Sequence, residues 1–428
     1  AYGARFYFPT GMSCLVLRDC EGINLYGMMI ESGAKRGADP TNTTQSVPPP
    51  WNLTNLCGSY GVFGTITISN CQRIMIKGCT LANNWDHGIL VDLATSAGGL
   101  RNSTNTLSVL NCEIYGHGWS MQWLTGAPLD GAAVVPMGGM LMSGCYIHDT
   151  ARGFEQYPMP DSGRGHGNPC TVVGNHFRNI WGFAADFERC SGSVFTGNTM
   201  DWDGSAFVVE SGEPAPQGLL LRYVRDMVVS GNSWNETYVC AMITDSTNVN
   251  LSGNTIRARN TGLNLSTTGA DVSHFNIIGN LFMGCPYGAL YGGQDLWWNN
   301  ITGNYFFNCG ASQSAREAIY LTGGVLTSNV FSGNTFFTPT ANSTAMYLTG
   351  PTGSGNLWKD NTLLGGYTNA WAIAEVAHFN SEVFSTWGNI TISVTNANPP
   401  THGAGNGSLC LTPGGALYLR TNGAWIIK

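Results

Sequence analysis

The residues of this chain best suited to chemistry are four carboxylates. Three segments share a small residue followed by alternating residue types: Gly153-Phe-Glu-Gln-Tyr157, Ala184-Ala-Asp-Phe-Glu188 and Ala206-Phe-Val-Val-Glu210. As strands, they would send positions two and four inward and positions three and five outward. Stacked on consecutive layers, they would gather Glu155, Asp186, Glu188 and Glu210 on one outer face. Column neighbours would then lie about 5 Å apart, and alternate positions along a strand about 7 Å. Retaining glycosidases separate their two carboxyls by about 5–5.5 Å and inverting ones by about 6.5–9.5 Å. Like charges this close raise at least one pKa, which suits a general acid. We take Glu188 and Glu210 as the acid/base pair, with Asp186 and Glu155 orienting the sugar or a water. The competing role for the row is a solvated or purely binding face, bonded to Arg152, Arg178 and Arg189 nearby. A slip of one residue in register would bury the acids and void the assignment.

Aromatic residues surround these segments. Tyr157, Trp119, Trp123, Trp181 and Trp202 could offer faces to sugar rings, and Arg164 and His166 lie on the loop between Phe154 and Cys170. Asp201-Trp202-Asp203 reads as an Asp-rich turn or as a second acid pair beside an aromatic platform. Tyr320 and Tyr347 occupy the outward third position in Ala318-Ile-Tyr-Leu-Thr322 and Ala345-Met-Tyr-Leu-Thr349, and would extend a binding groove. His117, His148, His166 and His176 lack HxH or HExxH spacing, so no metal site is expected, and no cofactor is implied. His148-Asp149 reads as turn chemistry rather than a dyad. A Ser-His-Asp system lacks its GxSxG elbow. Elimination instead of hydrolysis would need a base such as Tyr157, His166 or an arginine.

An internal repeat is what could position such residues. A phrase of β-rich residues, then Gly-Asn or Gly-Cys, recurs at Lys77-Gly78-Cys79, Leu110-Asn111-Cys112 and Ser143-Gly144-Cys145. It continues at Gly174-Asn175, Gly197-Asn198, Gly231-Asn232, Gly253-Asn254, Gly279-Asn280, Gly303-Asn304, Gly333-Asn334 and Asp360-Asn361. From Met28 onward the anchors are 22 to 51 residues apart, with the short intervals clustering near 22–27. Such a unit holds two or three short strands and their turns, with no amphipathic helix between anchors. The pattern predicts an all-β, right-handed, single-stranded parallel β-helix whose coils stack at about 4.8 Å. Cys79, Cys112, Cys145 and then Asn175 through Asn361 would form one ladder of buried side chains. The intervals are too short and uneven for a β-propeller, and the leucine pattern of a leucine-rich repeat is absent. We read 1–395 as the β-helix, 396–407 as a linker and 408–428 as a short β-rich tail.

Composition agrees with this reading. Only 11% of the 428 residues are charged, glycine numbers 57, and 43% are hydrophobic. The net charge of −7 and the lack of a basic run argue against a nucleic-acid partner. No apolar run reaches the roughly 18–20 residues that span a bilayer, so membrane insertion is not expected. The 13 cysteines are odd in number and form no CxxC pair, which points to buried free thiols. The chain starts at Ala1 without an initiator Met or signal peptide, and reads as a fragment or processed product.

The opening Gly3-Ala-Arg-Phe-Tyr-Phe-Pro-Thr-Gly11 resembles the first strand of pectate-lyase-like β-helices, and the coil phrases are similar to those of bacteriophage tailspikes. The tail, around Gly415-Ala-Leu-Tyr-Leu-Arg-Thr-Asn-Gly423, resembles the short module that ends many tailspikes and tail fibres. The acidic segment and capping helix that usually precede the opening strand do not occur here. The resemblance implies a homotrimer on a phage tail, made in the host bacterial cytoplasm and joined to the virion directly or through an adaptor protein. It implies a tail trimer contact at 408–428. It further implies binding, and endo-glycosidic hydrolysis, of a bacterial surface polysaccharide such as capsule or O-antigen. A non-catalytic adhesin and a polysaccharide lyase are the alternatives.

Overall fold

The computed structural model describes residues 3–8, 15–32, 64–69, 71–83, 87–91, 105–116, 119–124, 139–150, 152–157, 169–180, 182–203, 217–265, 272–293, 295–310, 317–322, 324–349, 352–373, 383–387, 390–394, 409–411, 417–421 and 424–427. Every regular element among them is a strand. The chain divides into two compact units, Ala1–Ala241 and Met242–Lys428.

In the first unit each coil contributes a strand to three parallel ladders. The first ladder runs through Gln72–Lys77, Asn105–Leu110, Met140–Ser143, Cys170–Val173, Val194–Thr196 and Arg225–Ser230. The second runs through Thr80–Ala82, Glu113–Tyr115, Tyr146–Thr150, His176–Ile180, Thr199–Asp201 and the start of Ser233–Thr244. The third runs through Gly64–Ser69, His87–Val91, Trp119–Leu124, Arg152–Tyr157, Phe183–Glu188 and Gln217–Arg222. Register places like beside like. Ile76, Val109, Met142, Val172, Phe195 and Val229 follow one another down the first ladder, all buried.

The predicted anchor sits where the first ladder turns into the second. The turn needs a left-handed residue, supplied by glycine at Gly144 (φ 65°) and by asparagine at Asn111 (φ 51°). The next residue points inward and bonds along the stack. The Cys145 amide donates to Asn175 Oδ1 at 2.9 Å, the Asn175 amide to Asn198 Oδ1 at 2.9 Å, and the Asn198 amide to Asn232 Oδ1 at 2.9 Å. The Asn175 Nδ2 group donates to Met142 O and to Asn198 Oδ1, so the buried amide has no idle donor. Before Asn175 the column is Cys79, Cys112 and Cys145, all buried free thiols.

The second unit repeats the device twice. One ladder links Asn254, Asn280, Asn304, Asn334 and Asn361, each amide donating at 2.9 Å to the next Oδ1. A second, unforeseen ladder links Asn299, Asn329 and Asn356. Phe282, Phe306 and Phe336 stack through the core at 5.0 and 4.6 Å. After the last coil, Val383–Trp387 and Ile390–Val394 form an antiparallel hairpin. Leu409–Leu411 pairs parallel with Ile390–Val394 and continues antiparallel into Leu417–Thr421 and Ala424–Ile427. The segment 396–407, read as a linker, lies outside the described residues.

Candidate functional site

The third ladder of the first unit carries the acids. Phe154 and Ala185 are partners in register, as are Glu155 and Asp186, and Gln156 and Phe187. Phe154 and Phe187 point into the core, where their rings lie 5.1 Å apart. By alternation Glu155, Asp186 and Glu188 project from the opposite, outer face. The predicted stacking of Glu155 on Asp186 therefore holds.

Two expectations about this row do not hold. The rung after Phe183–Glu188 is Gln217–Arg222, not 206–210: Leu220 stands opposite Asp186, and Arg222 opposite Glu188. Gly218-Leu-Leu-Leu-Arg222 repeats the small-then-apolar pattern as well as Ala206-Phe-Val-Val-Glu210 does, and it is the segment that enters the ladder. Glu210 lies outside the described residues. The acids are also not solvated. Glu155, Asp186 and Glu188 are 4%, 2% and 5% exposed. Their outer column continues through Thr67, Leu90 and Leu220, which are buried too. A sheet buried on both faces reads as a continuous apolar run, as in His87–Val91.

Two arginines hold the acids. Arg152 reaches Glu155 Oε1 at 3.1 Å and Asp186 Oδ2 at 3.7 Å, and Arg222 bonds Glu188. Asp186 Oδ1 is buried without a hydrogen-bond partner. Burial pushes the Asp186 carboxyl well above the usual range, and Glu155 and Glu188 add to this, against Arg152 and Arg222. Burial also raises Glu188, opposed by Arg222. A buried carboxyl raised above its usual range thus stands in register with a second carboxyl beside a guanidinium. Arg178 meets Asp203 at 3.5 Å, and Arg189 lies over the Tyr223 ring at 5.3 Å while its charge also acts on Glu188.

The other sequence candidates separate. Trp202 is 8% exposed, because alternation after the buried Met200 and the half-exposed Asp201 turns it inward, so it is not a sugar platform. Its neighbours Asp201 and Asp203 are engaged by His176 at 2.8 Å and Asn179 at 3.0 Å. His148 bonds Asp149, which holds a left-handed turn (φ 52°), at 2.8 Å, in keeping with turn chemistry. Tyr157 closes its strand in register with Leu124. Trp181, Arg164 and His166 lie outside the described residues. In the second unit Tyr320 and Tyr347 do project together, and sequence reasoning missed a third ring, Tyr291. The three stack at 5.4 and 5.3 Å with interplanar angles of 12° and 4°. Among the described residues no group of three or more His, Cys, Asp or Glu side chains could hold a metal ion. No helix among them is long and apolar enough to cross a membrane.

Residues 161–345 match the family model described as a right handed beta helix region. A search of curated proteins found no match. Among solved structures, a double mutant of the tailspike protein of E. coli bacteriophage HK620 aligns with a TM-score of 0.50 at 14% identity, covering 71% of this chain and 56% of that one. The chain thus spans little more than half the length of that tailspike. The A-module of a mannuronan C-5 epimerase from Azotobacter vinelandii aligns with a TM-score of 0.45 at 12% identity, covering 88% and 87% of the two chains. A DFA-IIIase from Arthrobacter chlorophenolicus A6 aligns with a TM-score of 0.45 at 13% identity, covering 90% and 89%. The fold is a tailspike-like right-handed parallel β-helix.

Proposed function

We propose that this tailspike-like β-helix is a phage receptor-binding spike that grips a bacterial surface polysaccharide and hydrolyses it within the chain. The observation that carries the reading is the in-register pair Glu155 and Asp186, with one Asp186 oxygen buried and unpartnered. Burial and the flanking carboxylates raise the Asp186 carboxyl, which would donate its proton to the departing glycosidic oxygen. Glu155, paired with Arg152, would attack the anomeric carbon from the adjacent rung. The leaving sugar takes the Asp186 proton as the C–O bond breaks. Water then hydrolyses the glycosyl ester on Glu155, returning its proton to Asp186. In-register partners on adjacent rungs are about 4.8 Å apart at the backbone, which suits retention of anomeric configuration. Glu188 and Arg222 would orient the sugar from the next position along the strand. Tyr320 and Tyr347, with Tyr291, would supply further sugar contacts.

We further propose a homotrimer. It is supported by an exposed apolar stripe in the second unit, where Met283, Phe307, Phe337 and Leu364 are successive partners in register. Phe307 and Leu364 are among the exposed large hydrophobic residues.

The burial of all three acids favours a second reading, in which they form a closed ion cluster and the spike only holds its glycan. Incubation with purified host capsule or lipopolysaccharide separates the two. New reducing ends that vanish in Asp186→Asn support hydrolysis. Retention of glycan without new ends supports the adhesin. Absorbance of an unsaturated uronate would overturn both in favour of elimination.

A further inference from the structure

The second unit carries a corner where successive coils place His274, Trp298, Ser328 and Gly355 after strands paired in register. All four take left-handed backbone conformations, with φ of 58°, 53°, 55° and 73°. Glycine, serine and histidine meet such a demand at low or moderate cost, but a bulky tryptophan there is an outlier. Strain of this kind persists only where the surroundings over-determine it, and it clusters at ligand-binding sites. Here the surroundings do so. The Trp298 amide donates to Thr327 O at 3.0 Å, and the next residue, Asn299, is locked into the second asparagine ladder through Asn329.

Much of the strained side chain faces solvent: Trp298 is 52% exposed. One face of its indole rests on His274, with ring centroids 5.2 Å apart, and Trp297 meets it edge-on at 5.9 Å. Beyond the other face the corner continues with Ser328 and then Gly355, which are too small to cover a ring. Two rungs without a large side chain leave a shelf about 10 Å long above the indole. Along this column its border is one hydroxyl and one glycine.

We propose that Trp298 is a stacking platform for one sugar ring, with its C–H face on the indole and its hydroxyl edge toward Ser328. The proposal deepens the reading of the chain as a polysaccharide-binding spike, on which it rests, by placing a sugar subsite in the second unit. The ligand class is a neutral pyranose, because only an amphipathic ring matches one aromatic face beside a small hydroxyl-bearing step.

The test uses the full chain labelled with 5-fluorotryptophan, the Trp298 resonance being assigned by its loss in Trp298→Phe. The probes are methyl α-glucoside, methyl α-galactoside and N-acetylglucosamine. At least one should move the Trp298 resonance saturably, and Ser328→Trp, which fills the shelf, should abolish the movement. If none moves it, or if all tryptophan resonances move together, the proposal is overturned. A second measurement separates a binding ring from a structural one. Trp298→Gly should relieve the strained backbone and leave the urea midpoint unchanged or raised, while weakening retention on the cleaved or bound polysaccharide about tenfold. A lowered midpoint with unchanged retention would make the indole structural. Should no polysaccharide be bound while a monosaccharide still moves Trp298, the spike reading fails and the shelf survives. Cleavage with a silent Trp298 has the opposite meaning.

Discussion

Glu155 and Asp186 are partners in register across adjacent coils of the third ladder, although 31 positions separate them in the chain. Neither carboxyl reaches water freely, and a single guanidinium, that of Arg152, serves both. This sharing makes the two groups unequal: Glu155 lies at 3.1 Å from the guanidinium and Asp186 at 3.7 Å, with one Asp186 oxygen left unpartnered.

The inequality predicts the outcome of substitution. Asp186→Asn and Glu155→Gln should each lower polysaccharide cleavage by about 10²–10⁴-fold, the usual weight of acid–base catalysis. Reducing-end assays report the loss, and an unchanged far-ultraviolet spectrum shows that the coil persists. Proton NMR of the first product should show the anomeric configuration retained. Inversion would exclude Glu155 as the nucleophile.

Stability should also depend on pH in a defined direction. A carboxyl raised by folding binds more protons in the native state than in the unfolded one. Its contribution is present below the unfolded carboxylate pKa and is lost as pH rises through the folded value. Asp186 and Glu188 are both raised. The urea midpoint should therefore fall as pH climbs from the ordinary carboxylate range. Asp186→Asn should remove most of that slope and leave the part due to Glu188. A slope unchanged in Asp186→Asn would show that its carboxyl is not raised.

How far the sequence discloses this can be traced residue by residue. Asn175, Asn198 and Asn280 were legible because each follows a glycine that the turn requires, and the pair recurs. The second ladder was equally written, since Asn299, Asn329 and Asn356 each stand five residues before Asn304, Asn334 and Asn361. Of the three only Asn356 follows a glycine, so they left no recurring phrase to notice. The side of the strand that bears Glu155 and Asp186 followed from alternation alone. Their burial did not, because alternation gives the side of a strand and not what lies against it. The rung at Gln217–Arg222 was misplaced onto 206–210 because two segments carry the same local pattern and only long-range pairing chooses between them.

The asparagine ladder should be costly to interrupt. Asn280 Oδ1 accepts the Asn254 amide at 2.9 Å, and its Nδ2 donates to Leu251 O and Asn304 Oδ1. Asn280→Ala strands these buried groups and should destabilise the chain by about 2–4 kcal/mol. Urea unfolding measures this directly, and a change under about 0.5 kcal/mol would mean that water replaces the lost amide.

The apolar stripe of Phe307, Phe337 and Leu364 predicts assembly. Light scattering should give three times the 45.7 kDa chain mass. Phe307→Ser with Leu364→Ser should shift the population toward monomer at micromolar concentration. A wild-type monomer would remove the stripe as a subunit contact.

The direction of the amide bonds bears on how the protein comes into being. The amide of each rung looks to the side chain of the rung that follows it in the chain, from Asn254 to Asn280 and on to Asn361. A coil leaving the ribosome therefore still lacks the partner that completes it, and it gains that partner only when its successor has been translated. Completion of the coil stack would then trail synthesis by one full turn, and a stalled or truncated message would leave its last coil open-ended.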